Sequence, residues 1–148
     1  MRPFRLTSQL AALAVILVAS SSSAFAAASE IKGAAILEHP CGKTSVKQMS
    51  LVHAGKMDQA ILLGTTAMQD QWKAMSAEDK KMMGGMMKDM STSDADYAAQ
   101  LKAGGLLVID GANATLTVKQ EHKDANGSST ETMTQQLLID AKGCWISH

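Results

Sequence analysis

Apolar positions along this chain change period once. Up to about residue 104 they recur every three or four residues, and from residue 106 they recur every second one. The first regime predicts helices. Gly42-Lys43-Thr44-Ser45 offers hydroxyl caps for a segment with Val46, Met49, Val52 and His53 at helical spacing, which Gly55 ends. Met57, Ile61, Gly64, Met68, Trp72 and Met75 follow at intervals of three and four, the pattern of one face of an amphipathic helix. Ser76 with Asp79 resembles a capping box for the next segment. There Met82, Met83, Met86, Met87 and Met90 fall within an arc of roughly 140°, outside which lie Gly84, Gly85, Lys88 and Asp89. A one-sided stripe of this kind predicts a core-facing helix. The glycine pair, worth about 2 kcal/mol of lost propensity relative to alanines, predicts fraying or a kink. Ser93 then caps a short helix that stops at Gly104-Gly105.

The second regime predicts a meander. LLVID is a strand and GAN a turn; the next strand sets Leu116 and Val118 against Thr115, Thr117, Lys119 and Glu121. DANGSS turns the chain, and Met133, Gln135, Leu137 and Ile139 then alternate with Thr132, Thr134 and Gln136 before a last turn and the strand CWISH. Helices followed by strands joined through short turns indicate an α+β fold, with N-terminal helices on a C-terminal antiparallel sheet of about four strands. One face of that sheet meets the helices and the other is more polar. By parity, His122 and Gln135 share the core-facing side.

The first residues carry a different signal. Arg2 and Arg5 precede an apolar run from Leu10 to Ala19, and Ala24-Phe25-Ala26 follows as a cleavage pattern. Residues 1–26 are read as a secretory signal peptide, too short in its apolar part to span a bilayer. Residues 27–43 are expected as a leader or short strand, and 44–148 as a single domain. The expected location is periplasmic or secreted, and with no cysteine at the cleavage site no lipid anchor is expected. Of the 14 Lys plus Arg, both arginines leave with the signal, against 14 Asp plus Glu. Nothing then remains to fork a phosphate bidentately, so nucleic acid is a poor partner. In an exported chain the two cysteines, Cys41 and Cys144, most economically form a disulfide, worth about 4–5 kcal/mol in the chain-entropy model; free or metal-bound thiols are the alternative.

Three stretches carry a resemblance: HAGKMDQAILL on the helical part, GGLLVIDGANATLTV at the change of period, and the closing IDAKGCWIS. With Lys56-Met57-Asp58, Ala114-Thr115-Leu116 and Gly143-Cys144-Trp145-Ile146 at the corresponding places, the chain from about Thr44 to Ser147 resembles the nuclear transport factor 2-like superfamily, also called cystatin-like or ketosteroid-isomerase-like. Within it, the likeness is to small exported bacterial members without an assigned function. The resemblance implies a curved, cone-like sheet wrapped by helices around a cavity, a frame used by enzymes, ligand pockets and dimerisation modules alike. The methionine-rich segment is not part of that pattern. Nor is the absence of a lipid-attachment cysteine, since such relatives are often lipoproteins.

Candidate chemistry is sparse. An isomerase-like or dehydratase-like enzyme would draw on Tyr97, Asp110 or His122, which stand in no recognisable catalytic spacing. No G-x-S-x-G elbow is present, and the scattered histidines give no zinc spacing. Met82, Met83, Met86, Met87 and Met90, with Met75 or His39, could offer thioethers to Cu(I). They equally suit core packing in a chain short of aromatics, or an adaptable partner-binding surface. Core packing is the expectation, so replacing Met82, Met86 and Met87 by Ser should cost several kcal/mol. The sequons at Asn113 and Asn126 are read as chance. The functional expectation is a non-enzymatic binding module without a cofactor, for a small apolar ligand or a partner protein. His122, Gln135 and Tyr97 would be polar groups at its cavity. A homodimer would form through Thr115, Thr117, Thr132, Thr134 and Gln136, and a Cu(I) protein is the alternative.

Overall fold

The computed structural model describes residues 27–124 and 127–147, with side chains except at 120–124 and 128. The signal peptide, the Asn126 sequon and the side chain of His122 lie outside what is described. The chain runs β1 (Ser29–Lys32), α1 (Ala35–Glu38), α2 (Pro40–His53), α3 (Met57–Ile61), α4 (Thr66–Ala74), α5 (Ala77–Asp89) and α6 (Asp94–Gly104). The strands β2 (Leu106–Asp110), β3 (Asn113–Asp124), β4 (Gly127–Asp140) and β5 (Gly143–Ile146) complete it. The fold is α+β, with helices on a curved antiparallel sheet of five strands rather than four. Strand order follows sequence order, and the added strand is β1, paired with β2 at the edge. Among the described residues no helix is long and apolar enough to cross a membrane.

Alternation fixes the register. Ile31, Leu107, Leu116 and Gln135 stand in one inward row, and Ile109, Ala114, Leu137 and Ile146 in the next. A one-residue slip would turn both rows to solvent. Leu107, Leu116, Val118, Leu137 and Ile146 pack with Ile36, Tyr97 and Leu101 of α1 and α6. Thr132, Thr134 and Gln136 are exposed on the other face, with Thr115 and Thr117 half-buried. The Cys41–Cys144 disulfide ties the first turn of α2 to β5 across 103 residues.

Several elements depart from expectation, each for a local reason. The helix expected from the hydroxyls at 44–45 starts at Pro40, where proline suits the first helical position. His39 caps it, its Nδ1 accepting from the Cys41 N–H at 3.2 Å. Thr44 instead donates to the Cys144 carbonyl at 3.2 Å. Gly42 lets this turn cross α1, since a Cβ there would lie 1.9 Å from the Ile36 carbonyl oxygen.

The single helix expected from Met57 to Met75 is two helices. Between them Gly64 bridges to Ile146 as a short parallel pair, with the Ile146 N–H donating to Leu63 and the Thr65 N–H to the Ile146 carbonyl. The break seals the outer edge of β5, a position that would otherwise present unpaired backbone groups. Thr65 then caps α4.

The expectation of a buried methionine helix is overturned. Helix α5 begins at the expected cap, the Ser76 hydroxyl accepting from the Asp79 N–H at 3.1 Å, and it continues through Gly84 and Gly85 without a break. None of its described residues is buried: Met82, Met83, Met86, Met87 and Met90 are 65, 41, 57, 37 and 73% exposed. The core cluster on the sheet draws its buried helical residues from α1, α2 and α6, and α5 packs as an outer layer chiefly against α2.

Candidate functional site

Two groupings of side chains invite a functional reading. The first is polar and internal. The Ser45 hydroxyl on α2 stands 2.9 Å from the Tyr97 hydroxyl of α6 and donates to the side-chain Oε1 of Gln135 on β4. The Gln135 amide nitrogen donates to Gln48 Oε1 at 2.7 Å. Two of the three residues expected at a cavity, Tyr97 and Gln135, are thus joined through Ser45, which sequence reasoning missed. Parity brings Gln135 inward, and Ser45 and Gln48 lie three apart on one face of α2.

Where the resemblance implies an open cone, these groups satisfy one another. Tyr97 is only 1% exposed, and burial raises its phenol above the ordinary value, partly offset by the Ser45 hydrogen bond. A buried phenol held neutral and already bonded serves core specificity better than proton transfer. Asp110 is exposed at the end of β2, opposite Asn113.

The second grouping is a groove between α3, α4 and α5. Three i, i+4 pairs converge on it: Met57 with Ile61, Met68 with Trp72, and Met83 with Met87. Met75, at the end of α4, and the amides of Gln48 and Gln71 complete the lining. Its volume is about 160 Å³. Pockets for drug-sized ligands span about 300–1,000 Å³, so this groove suits one large side chain or an ion.

Trp72 forms one wall. Its indole N–H donates to the Asp58 carboxylate at 2.8 Å, and the Lys80 ammonium lies 5.9 Å from the ring centroid. Gly84 brings the α5 backbone close to Met57, since a Cβ there would stand 3.7 Å from the Met57 side chain. The four methionines of α5 and Met90 at its C-cap therefore divide into two rows. Met83 and Met87 face the groove, whereas Met82, Met86 and Met90 form an outward i, i+4, i+8 row.

A third concavity of about 500 Å³ sits at the end of the sheet, walled by Trp145, Leu138 and Asp140. The Asp140 carboxyl is held below the usual carboxylate range. The largest influence is the neighbouring Trp145 indole N–H, which falls short of full hydrogen-bond geometry, followed by the backbone N–H groups of Lys142 and Gly143. The latter bonds make Asp140 the anchor of the β4–β5 turn.

No family model matches this chain, and neither does any curated protein or any solved structure.

Proposed function

We propose that this chain is an exported, non-enzymatic binding module that engages a partner protein through the methionine face of α5. One observation carries the reading: five large apolar side chains, four on one helix and the fifth at its C-cap, are exposed to between 37 and 73%. Contiguous apolar surface of this kind on a soluble protein marks an interaction site. Methionine, flexible and polarizable, is the side chain that adapts to differing partners. The groove beneath Met83 and Met87 has the volume to receive one large apolar side chain of that partner, which favours a protein over a free small ligand. Export rests on residues 1–26. The order of helices before a sheet meander supports the nuclear transport factor 2-like resemblance, a frame compatible with a binding role.

The test uses an apolar fluorescent probe, 1-anilinonaphthalene-8-sulfonate. Its emission should rise with the native, oxidised protein and fall back in the Met83→Asp/Met87→Asp variant, whose circular dichroism should stay native. Equal enhancement in the variant would move the binding surface away from α5.

A further inference from the structure

The exposure of α5 removes the ordinary explanation for its composition. Methionines that fill a core need no other reason, but Leu would serve as well on a surface meant only to be apolar. What distinguishes methionine from leucine is the thioether sulfur, and thioethers from three different helices are gathered around one small groove. Met57 comes from α3, Met68 from α4, Met75 from its end, and Met83 and Met87 from α5.

We propose that this groove is a Cu(I) site, with the ion held by three thioethers: those of Met83 and Met87 from α5 and one from Met57, Met68 or Met75 across the groove. The proposal deepens the binding reading and rests on the groove being open to an incoming ligand.

The ion's class follows from the donors. Thioether sulfur is soft and uncharged, which suits a soft monovalent d¹⁰ ion and gives little to Zn²⁺, Ca²⁺ or Mg²⁺. The only polar side chains in the lining are the amides of Gln48 and Gln71. Among the described residues, no group of three or more His, Cys, Asp or Glu side chains is arranged to hold a metal ion. The thiols of Cys41 and Cys144 are joined in the disulfide and offer no competing thiolate. A volume of about 160 Å³ accommodates an ion with its ligands' methyl groups.

Trp72 adds a second attraction. An aromatic face within about 6 Å of a cation contributes favourably, more so when partly desolvated, and Trp72 is 8% exposed with its ring fixed by Asp58. The site differs from a simple cluster of the five methionines of α5 and its C-cap. Only Met83 and Met87 of those five belong to it, and Met82, Met86 and Met90 do not.

The experiment is a Cu(I) titration of the oxidised protein. The ion is supplied as its acetonitrile complex in an anaerobic, thiol-free buffer, so that no reductant opens the disulfide, and is read against bicinchoninate. Stoichiometric capture of one ion is expected, with quenching of tryptophan emission and no competition from Zn²⁺. Met83→Leu/Met87→Leu keeps size and apolarity and should weaken capture by at least ~100-fold, beyond the roughly 10–100-fold typical of losing an outer-shell partner. Met82→Leu/Met86→Leu/Met90→Leu should bind as the parent does.

In protein carrying ¹³C-methyl methionine, Cu(I) should shift the groove methyls and leave those of Met82, Met86 and Met90 in place. Loss of capture in the outer-row variant with retention in the groove variant would overturn the assignment. So would absence of capture. Absent capture with the fluorescent-probe response intact would sink the copper site alone; loss of both in native protein would sink the binding reading as well.

Discussion

The two hydrophobic clusters of this protein differ in what covers them. The larger lies between the sheet and α1, α2 and α6. Its Ile36, Leu101, Leu107, Leu116, Val118 and Leu137 are at most 1% exposed, and the disulfide crosses it. The smaller holds Val52, Met57, Ala60, Ile61 and Trp72, and its outer cover is a helix with no buried residue among those described. Branched aliphatics have few rotamers and specify one packing, whereas methionine has three rotatable bonds and specifies little. The first cluster is suited to holding a shape, and the methionine margin of the second to yielding. On the proposed function, stability and binding fall to separate parts of one small domain.

The strongest way to break the contrast is at the covalent tie. Cys41→Ala/Cys144→Ala should lose about 4–5 kcal/mol of unfolding free energy in urea; a loss below about 1 kcal/mol would mean that sheet pairing alone holds β5. Next, Leu116→Ala should cost about 2–5 kcal/mol. The triple change Met82→Ser/Met86→Ser/Met90→Ser, by contrast, should stay within about 0.5 kcal/mol per site, as for exposed positions. Comparable losses would show that α5 is covered in solution and erase the distinction.

In the opposite direction, Gly85→Ala should stabilise by up to about 1 kcal/mol, because a Cβ there meets nothing within 4 Å and helix propensity favours alanine. A thermal midpoint that falls instead would reveal a close neighbour of α5.

The smallest effect concerns His39, whose imidazole burial holds below its ordinary value of 6.5. A lowered folded-state value means that the unfolded chain binds the proton more readily. Its contribution is therefore present above about pH 6.5 and declines as pH falls below it. Protonation also removes the Nδ1 acceptor that caps α2. His39→Asn, which caps without titrating, should flatten the stability profile in that window. An unchanged slope would place the proton-sensitive group elsewhere.

How much of this was legible in the sequence depends on what each signal reports. Leu116 and Val118 against Thr115 and Thr117 gave the sheet's inner and outer faces because period two has only two sides. Ser76 and Ser93 marked helix starts because capping is a local bond between residues three apart. The break at Gly64 was hidden, since helical spacing runs straight across it and its cause is the edge of β5, far along the chain.

Met82 to Met90 misled for a related reason: a period shows that a helix has an apolar face, not that anything lies opposite. The groove was invisible as a unit, although its i, i+4 pairs were each present, because no spacing relates one helix to the next. The His39 cap had a signal, the proline immediately after it, and hydroxyls nearby drew attention away.

The separation between the bridged cysteines also sets a clock. Chains are made at about 5–20 residues per second, so the 103 residues between Cys41 and Cys144 keep the first thiol without its mate for roughly 5–20 seconds of synthesis. Helices α2 to α6 are made within that interval, and β5 is the last element to appear. The lock therefore closes only after nearly all of the fold has been made, and with two cysteines in the chain the waiting thiol has no wrong mate within its own molecule.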